Sequence, residues 1–351
     1  MDKGLLFLCL IVLILLFSGC TQSSESVCGN TICEVGENVT SCSQDCSEQN
    51  GDTRNFLVGT APIPRNFPNS DAADWQDALD KISEVGDAVN AADGTWRPLI
   101  NGFDNSLIGF AAGTTTVHKA TPIYSISYFN QEEITNTGEL QIDWSSVEDK
   151  EAYKKVAVDL CKKYDAKYLG LSIENNFHYK YKPEDYDLWI EIYKDTYDTV
   201  KVACPNTKVF VTFQYEMLQG LGQKYWGEYD SQWEILEKYG GKLDLIVLTT
   251  YPELEYDTPN EIPNDYYLKI KNYTDKPIAF AEVGWNNDNG DFLNKFLDLT
   301  KDLDKEFVMW AFLHDMDVPH FTGIGLRNKD GTPKEVWADW KALRDLPYVV
   351  N

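Results

Sequence analysis

From residue 55 to the end of the chain, short apolar runs alternate with longer amphipathic stretches, and the alternation repeats eight times. The apolar runs fall at 56–61, 87–92, 122–130, 168–174, 208–215, 243–251, 277–282 and 306–312. Helical periodicity follows each, at 74–85, within 97–119, and at 148–164, 183–203, 231–239, 264–273, 292–303 and 334–343. The run at 168–173 is apolar on both faces, as a strand is when helices cover one side and other strands' side chains fill the opposite side. Eight strand–helix units joined by parallel crossovers predict a closed barrel rather than an open sheet. An open doubly wound sheet is the alternative if 87–92 is not a strand, but no glycine-rich phosphate loop supports it. The expected fold class is therefore α/β, a (β/α)8 TIM barrel over residues 55–351.

The residues before 55 read differently. Lys3 precedes an apolar stretch at 4–17, the layout of a signal peptide. Leu16-Phe-Ser-Gly-Cys20 resembles a lipobox, which places cleavage after residue 19 and lipid on Cys20. An uncleaved membrane anchor is the other reading, although the stretch is short of the about 20 residues a span requires. Both readings put the rest of the chain outside the cytoplasmic membrane. The lipid reading implies an extracellular protein held to that membrane's outer face through Cys20. Residues 20–27 then form a flexible tether. Cys28, Cys33, Cys42 and Cys46 follow with C-x4-C-x8-C-x3-C spacing, which lacks the short C-x2-C element and the histidines of a zinc knuckle. In an exported chain they are expected to form two disulfides in a small module at 28–46, with three pairings open. The module resembles a cysteine-rich repeat of secreted prokaryotic proteins. Residues 47–54 link it to the barrel. Cys161 and Cys204 lie in helices flanking the 168–174 strand, as a further bridge or as two core thiols.

A net charge of −25, from 56 acidic and 31 basic residues, excludes a nucleic-acid partner, whose phosphates need clustered Lys and Arg. It leaves a neutral polymer such as a polysaccharide free to approach.

Most of those carboxylates must be solvated, but two end apolar strands: Glu174 in AKYLGLSIENN and Glu282 in KPIAFAEVGWN. Barrel sites gather at the carboxyl ends of the strands. Two carboxylates there are what glycosidic cleavage needs, one to protonate the leaving oxygen and one to attack the sugar. Strand alternation turns Gly170, Ser172 and Glu174 toward the axis, with Leu169, Leu171 and Ile173 toward the helices. On the later strand it turns Ile278, Phe280 and Glu282 inward, with Ala279 and Ala281 outward.

These motifs resemble the clan A glycoside hydrolases, in the endo-galactanase and endo-glucanase branch, over residues 55–351. Pro277-Ile-Ala-Phe-Ala-Glu282-Val-Gly-Trp285 is similar to their nucleophile strand, and 243–252, ending in Tyr251-Pro252, to their sixth strand. The resemblance implies a retaining enzyme acting on β-linked poly- or oligosaccharide. It makes Glu174 the acid/base and Glu282 the nucleophile, with Tyr251 touching Glu282 and Trp310 forming the floor under the cleaved sugar. Asn130, Asn175 and Trp285 complete the expected sugar contacts, and the two carboxyls are expected about 5–5.5 Å apart. The family places Asn directly before its acid/base Glu, where this chain has Ile173; Asn175 is the expected substitute and Glu216 the alternative acid. Ile173 also supports a second reading, an inactive lipid-anchored barrel that only binds glycan.

Other candidates carry less chemistry. Trp226 is a further stacking candidate. His178 either lines the cleft or is a loop histidine without function. His314, Asp315, Asp317 and His320 lack metal-site spacing. Asn38 and Asn272 begin glycosylation acceptor motifs. No cofactor or metal is expected, and the partners are a carbohydrate substrate and the membrane, with the chain monomeric.

Overall fold

A computed structural model of the chain describes residues 53–349, apart from 105, 287–289 and 317–321. From Arg54 onward the chain forms one compact unit built on nine parallel strands. These are β1 (Leu57–Ala61), β2 (Ala88–Asp93), β3 (Thr121–Ile126), β4 (Tyr168–Gly170), β5 (Lys208–Phe210), β6 (Thr212–Gln214), β7 (Ile246–Thr250), β8 (Ile278–Val283) and β9 (Lys305–Phe312). Their order is β5-β4-β3-β2-β1-β9-β8-β7-β6. The two ends of that order are one stretch of chain, because only Val211 separates β5 from β6. β5 pairs with β4 and β6 with β7, so the segment Lys208–Gln214 joins both sides of the ring. The run at 87–92, on which the closed barrel depended, is a strand, paired over six positions with β3. The architecture is TIM-barrel-like, with the fifth strand of the sequence reading divided into β5 and β6.

The helices that cover the ring carry local start and stop signals. Asp71 forms a capping box with Asp74 at the head of Ala72–Val85. Ser146 caps Val147–Tyr164, whose first turn holds Glu148 and Asp149 and whose last turn holds Lys162 and Lys163, matching the helix dipole at both ends. Pro183 opens Pro183–Ala203, where a missing N–H costs nothing. Cys161 and Cys204 are disulfide-bonded and tie the ends of those two long helices together. Two expected helices shrink. The stretch 231–239 holds only Ile235–Lys238, and 264–273 holds a 3₁₀ turn at Leu268–Asn272. Tyr266 and Tyr267, just before that turn, are both fully buried.

The barrel interior is packed by Leu57, Ala88, Ile123, Tyr168, Phe210 and Val247, with Ala279, Ala281, Phe307 and Met309. Leu169, Leu171 and Phe280 pack outward among the helices. Alternation on β4 is thus as expected: a Cβ on the inward Gly170 would lie 2.4 Å from Ser125 Oγ. On β8 the expected facing is inverted, since Ala279 and Ala281 point in and Ile278 and Phe280 point out. A bulge explains why Glu282 is not turned away with Phe280. Leu248 pairs with Phe280 and Thr249 with Glu282, so two residues of β8 oppose one step of β7.

Candidate active site

Glu174 follows the end of β4, and its backbone takes φ 47°, the left-handed region that a residue with a Cβ enters only against strain. The turn is held by its own N–H, which donates to Thr212 Oγ1 at 2.6 Å. The carboxyl is 5 % exposed and accepts from Thr249 Oγ1 at 2.5 Å and from the Gln131 amide. Burial pushes its pKa up to about 8; the charges of Glu282 and Glu216 add to the rise, and the Thr249 bond opposes it.

Glu282 remains partly exposed at the mouth and accepts a hydrogen bond from the Tyr251 hydroxyl. Burial raises its pKa and the Tyr251 bond lowers it. Tyr251 is itself pushed far above the ordinary phenol range by burial and by Glu282, so it stays a protonated donor. Its ring reaches Glu282 because residue 284 is glycine: a Cβ there would lie 2.4 Å from Ile324 Cγ2 and 3.1 Å from Tyr251 Cε1. Thr249, the sheet partner of Glu282, is the donor to Glu174. The two glutamates are thus both held by residues at the end of β7, and the charge of Glu282 adds to the rise that burial gives Glu174.

The other expected contacts separate into two groups. Asn130 stands at the rim, where its side chain caps Gln131–Thr137, and it lines an open groove with Gly94, Ser127 and Ile173. Ile173 therefore faces this groove, not the helices, because β4 ends at Gly170 and strand alternation no longer governs residue 173. Asn175 is fully buried under the helices. Its amide donates to Tyr128 Oη at 2.7 Å and Ser172 Oγ at 3.0 Å, and its carbonyl accepts from Tyr186 at 2.6 Å and Trp189 at 3.1 Å. With both ends taken, it does not replace the asparagine absent at position 173. Trp285 is buried against Phe292. Trp310 packs against Trp340 and Phe292 and donates to Ile324 O at 2.6 Å. Inward facing on β9 belongs to Phe307 and Met309, so the expected floor under a sugar is not made by Trp310.

Glu216 is fully buried with donors on both oxygens, and it is not placed to act as the alternative acid. His178 does not line the cleft: it is buried with Nδ1 2.7 Å from Tyr128 Oη, and burial lowers its pKa to about 3. His314 is buried with Nδ1 on Ile63 O, and Asp315 pairs with Lys334 at 2.7 Å. Among the described residues, no cluster of three or more His, Cys, Asp or Glu is arranged to hold a metal, and no helix is long and apolar enough to cross a membrane. Cys20, Cys28, Cys33, Cys42, Cys46, Asn38, Asp317 and His320 lie outside the described residues.

Sequence reasoning missed Gln131, Thr212 and Thr249, the three side chains that hold Glu174. A signal existed for two of them. Thr212 shares inward parity with Phe210, and Thr249 shares it with Val247, each at a strand's carboxyl end. Gln131 had no such mark beyond following Asn130.

The barrel is the fold found in many solved glycoside hydrolases. A beta-glycosidase structure matches at a TM-score of 0.57 with 11% identity, covering 84% of this chain and 95% of that one. Xylanase 10B from Thermotoga maritima matches at 0.57 with 12% identity, covering 83% and 95%. A family 39 glycoside hydrolase from Bacteroides cellulosilyticus matches at 0.58 with 16% identity, covering 82% of this chain and 63% of its own. No protein-family model matches the sequence, and no curated protein matches it.

Proposed function

We propose that the chain is a retaining glycosidase acting on β-linked poly- or oligosaccharide. The observation that carries this reading is the pair of carboxyls held at the end of β7: Glu174, buried and bound by Thr249, and Glu282, partly exposed and fixed by Tyr251. In this mechanism Glu282 attacks the anomeric carbon while Glu174 gives its proton to the leaving oxygen. A glycosyl ester on Glu282 results. Glu174, now a carboxylate, takes a proton from water while the water oxygen bonds the anomeric carbon and the ester bond to Glu282 breaks, which releases the sugar and restores both groups. The environments suit those tasks, since burial is deeper at Glu174 and the Tyr251 hydroxyl stabilises the anion of Glu282. The structural neighbours, whose names include a xylanase, a mannosidase and glucuronidases, agree with a β-linked carbohydrate substrate. The proposal extends to the N-terminus: Cys20 carries lipid, residues 28–46 are a disulfide-bonded spacer, and a monomeric barrel works outside the cell on that anchor.

A second reading follows from Ile173, which replaces with hydrocarbon a position that in clan A enzymes contacts the sugar. On that reading the barrel binds glycan without cleaving it. Incubating the full chain with a panel of 2-deoxy-2-fluoro β-glycosides separates the two. The hydrolase reading expects a covalent adduct on Glu282 by peptide mass analysis. Glycan binding with no adduct and no turnover on any β-linked substrate would leave the binding reading standing.

A further inference from the structure

Glu216 is a buried carboxylate beside the candidate site that the proposed mechanism does not use. It sits at the head of the short helix Tyr215–Leu218, immediately after β6, and it has no exposed surface. One oxygen accepts from Thr250 Oγ1 at 2.7 Å and Tyr266 Oη at 2.8 Å. The other accepts from Tyr251 N at 3.1 Å and Gln214 Nε2 at 2.5 Å. Four donors fill the acceptor sites of a carboxylate, and the backbone N–H among them cannot accept a proton in return, so this is the environment of the ionised form. Burial works against that ionisation. Among the described residues no lysine or arginine forms an ion pair with it. Besides Glu174 and Glu253, the titratable groups facing it are tyrosine hydroxyls, nearest among them Tyr215, Tyr251, Tyr266 and Tyr267. A buried charge without a counterion is costly, and its retention asks for a use.

The use lies in what it holds. Resting on the glycosidase reading above, we propose that Glu216 is a positioning residue that clamps the end of β7 so that Thr249 meets Glu174 and Tyr251 meets Glu282. Its two contacts at 250 and 251 fall between and upon the residues that deliver those hydrogen bonds. They lie at the end of the β7–β8 ladder, whose last pair is Thr250–Val283, so beyond it strand pairing no longer fixes the direction of Tyr251. The same charge reaches Glu174 and helps it keep its proton.

The test is Glu216→Gln in the full chain, with kcat and kcat/KM on a β-linked substrate followed from pH 4 to 9. The amide keeps the shape but turns two N–H groups on existing donors. We expect kcat to fall about 10- to 100-fold with the fold retained, the scale of a misplaced catalytic group. The alkaline limb should move to lower pH, because Glu174 loses a neighbouring negative charge. A purely structural carboxylate would lower the melting temperature and leave kcat and the profile where they were, and that result overturns the proposal. If Glu216→Gln does not fold, Tyr266→Phe removes one donor without touching either catalytic carboxyl. It should lower kcat by about 2- to 10-fold, the value of one hydrogen bond, and an unchanged kcat overturns the proposal equally. Should the unaltered protein turn over no β-linked substrate, the glycosidase reading has failed and this inference falls with it; an active protein with an indifferent Glu216 variant refutes this inference alone.

Discussion

Tyr251, just past the end of β7, donates its phenol hydrogen to Glu282 on the neighbouring strand, over a backbone gap that only Gly284 leaves open. The bond stabilises the anion of Glu282. Tyr251→Phe should therefore lower kcat about 10- to 100-fold, the value of a hydrogen bond to a charged group. It should also move the acidic limb of the pH profile upward, because Glu282 becomes harder to ionise. Melting temperature should change little. A full-rate variant would remove Tyr251 from the site.

Glu282→Ala should abolish turnover, by about 10⁴-fold or more as for other essential nucleophiles, while the protein stays folded. Azide should restore part of the rate on an activated aryl glycoside by attacking in place of the missing carboxylate. Unfolding in place of inactivity would identify a structural carboxylate.

Glu174 has a pKa raised from 4.5 to about 8. A carboxyl raised by folding stabilises the fold fully below its unfolded value and loses that contribution as pH rises through the folded one. The amide introduced by Glu174→Gln does not titrate. Relative to that variant, the unaltered protein should lose stability between about pH 4.5 and pH 8, by at least about 2 °C in melting temperature. Parallel melting curves across that window would expose a Glu174 that is not perturbed. Activity should persist above neutrality and fall as Glu174 loses its proton.

The bridge from Cys161 to Cys204, 43 positions apart in sequence, joins the C-terminal ends of two helices. Replacing both cysteines with serine should cost up to about 4 kcal/mol on the chain-entropy account and leave kcat unchanged. Denaturant midpoints equal to those of the unaltered protein would argue against the bridge.

Cys20→Ser should accumulate as an uncleaved precursor retaining residues 1–19. Mass analysis of the membrane-bound protein showing an intact Met1 or an unmodified Cys20 would refute lipidation.

The period of the chain alone announces the barrel, because eight apolar runs with covering helices admit few other closures. It announces Glu174 and Glu282 too, since a carboxylate ending a run apolar on both faces has few places to go but the mouth. What lay beyond the sequence was direction. On β8, alternation counted from Glu282 turned Ala279 and Ala281 outward, whereas a one-residue bulge turns them inward and still delivers Glu282 to the site. At Glu174 the backbone enters the left-handed region, so Asn175 passes beneath the helices into a cage of Tyr128, Tyr186 and Trp189 and not toward a substrate. Trp285 and Trp310 look identical in sequence to sugar-facing aromatics, and only packing against Phe292 and Trp340 assigns them to the core. Bulges and left-handed residues are set by how neighbouring strands and side chains fit together, so their effect on facing is decided in three dimensions, one residue at a time.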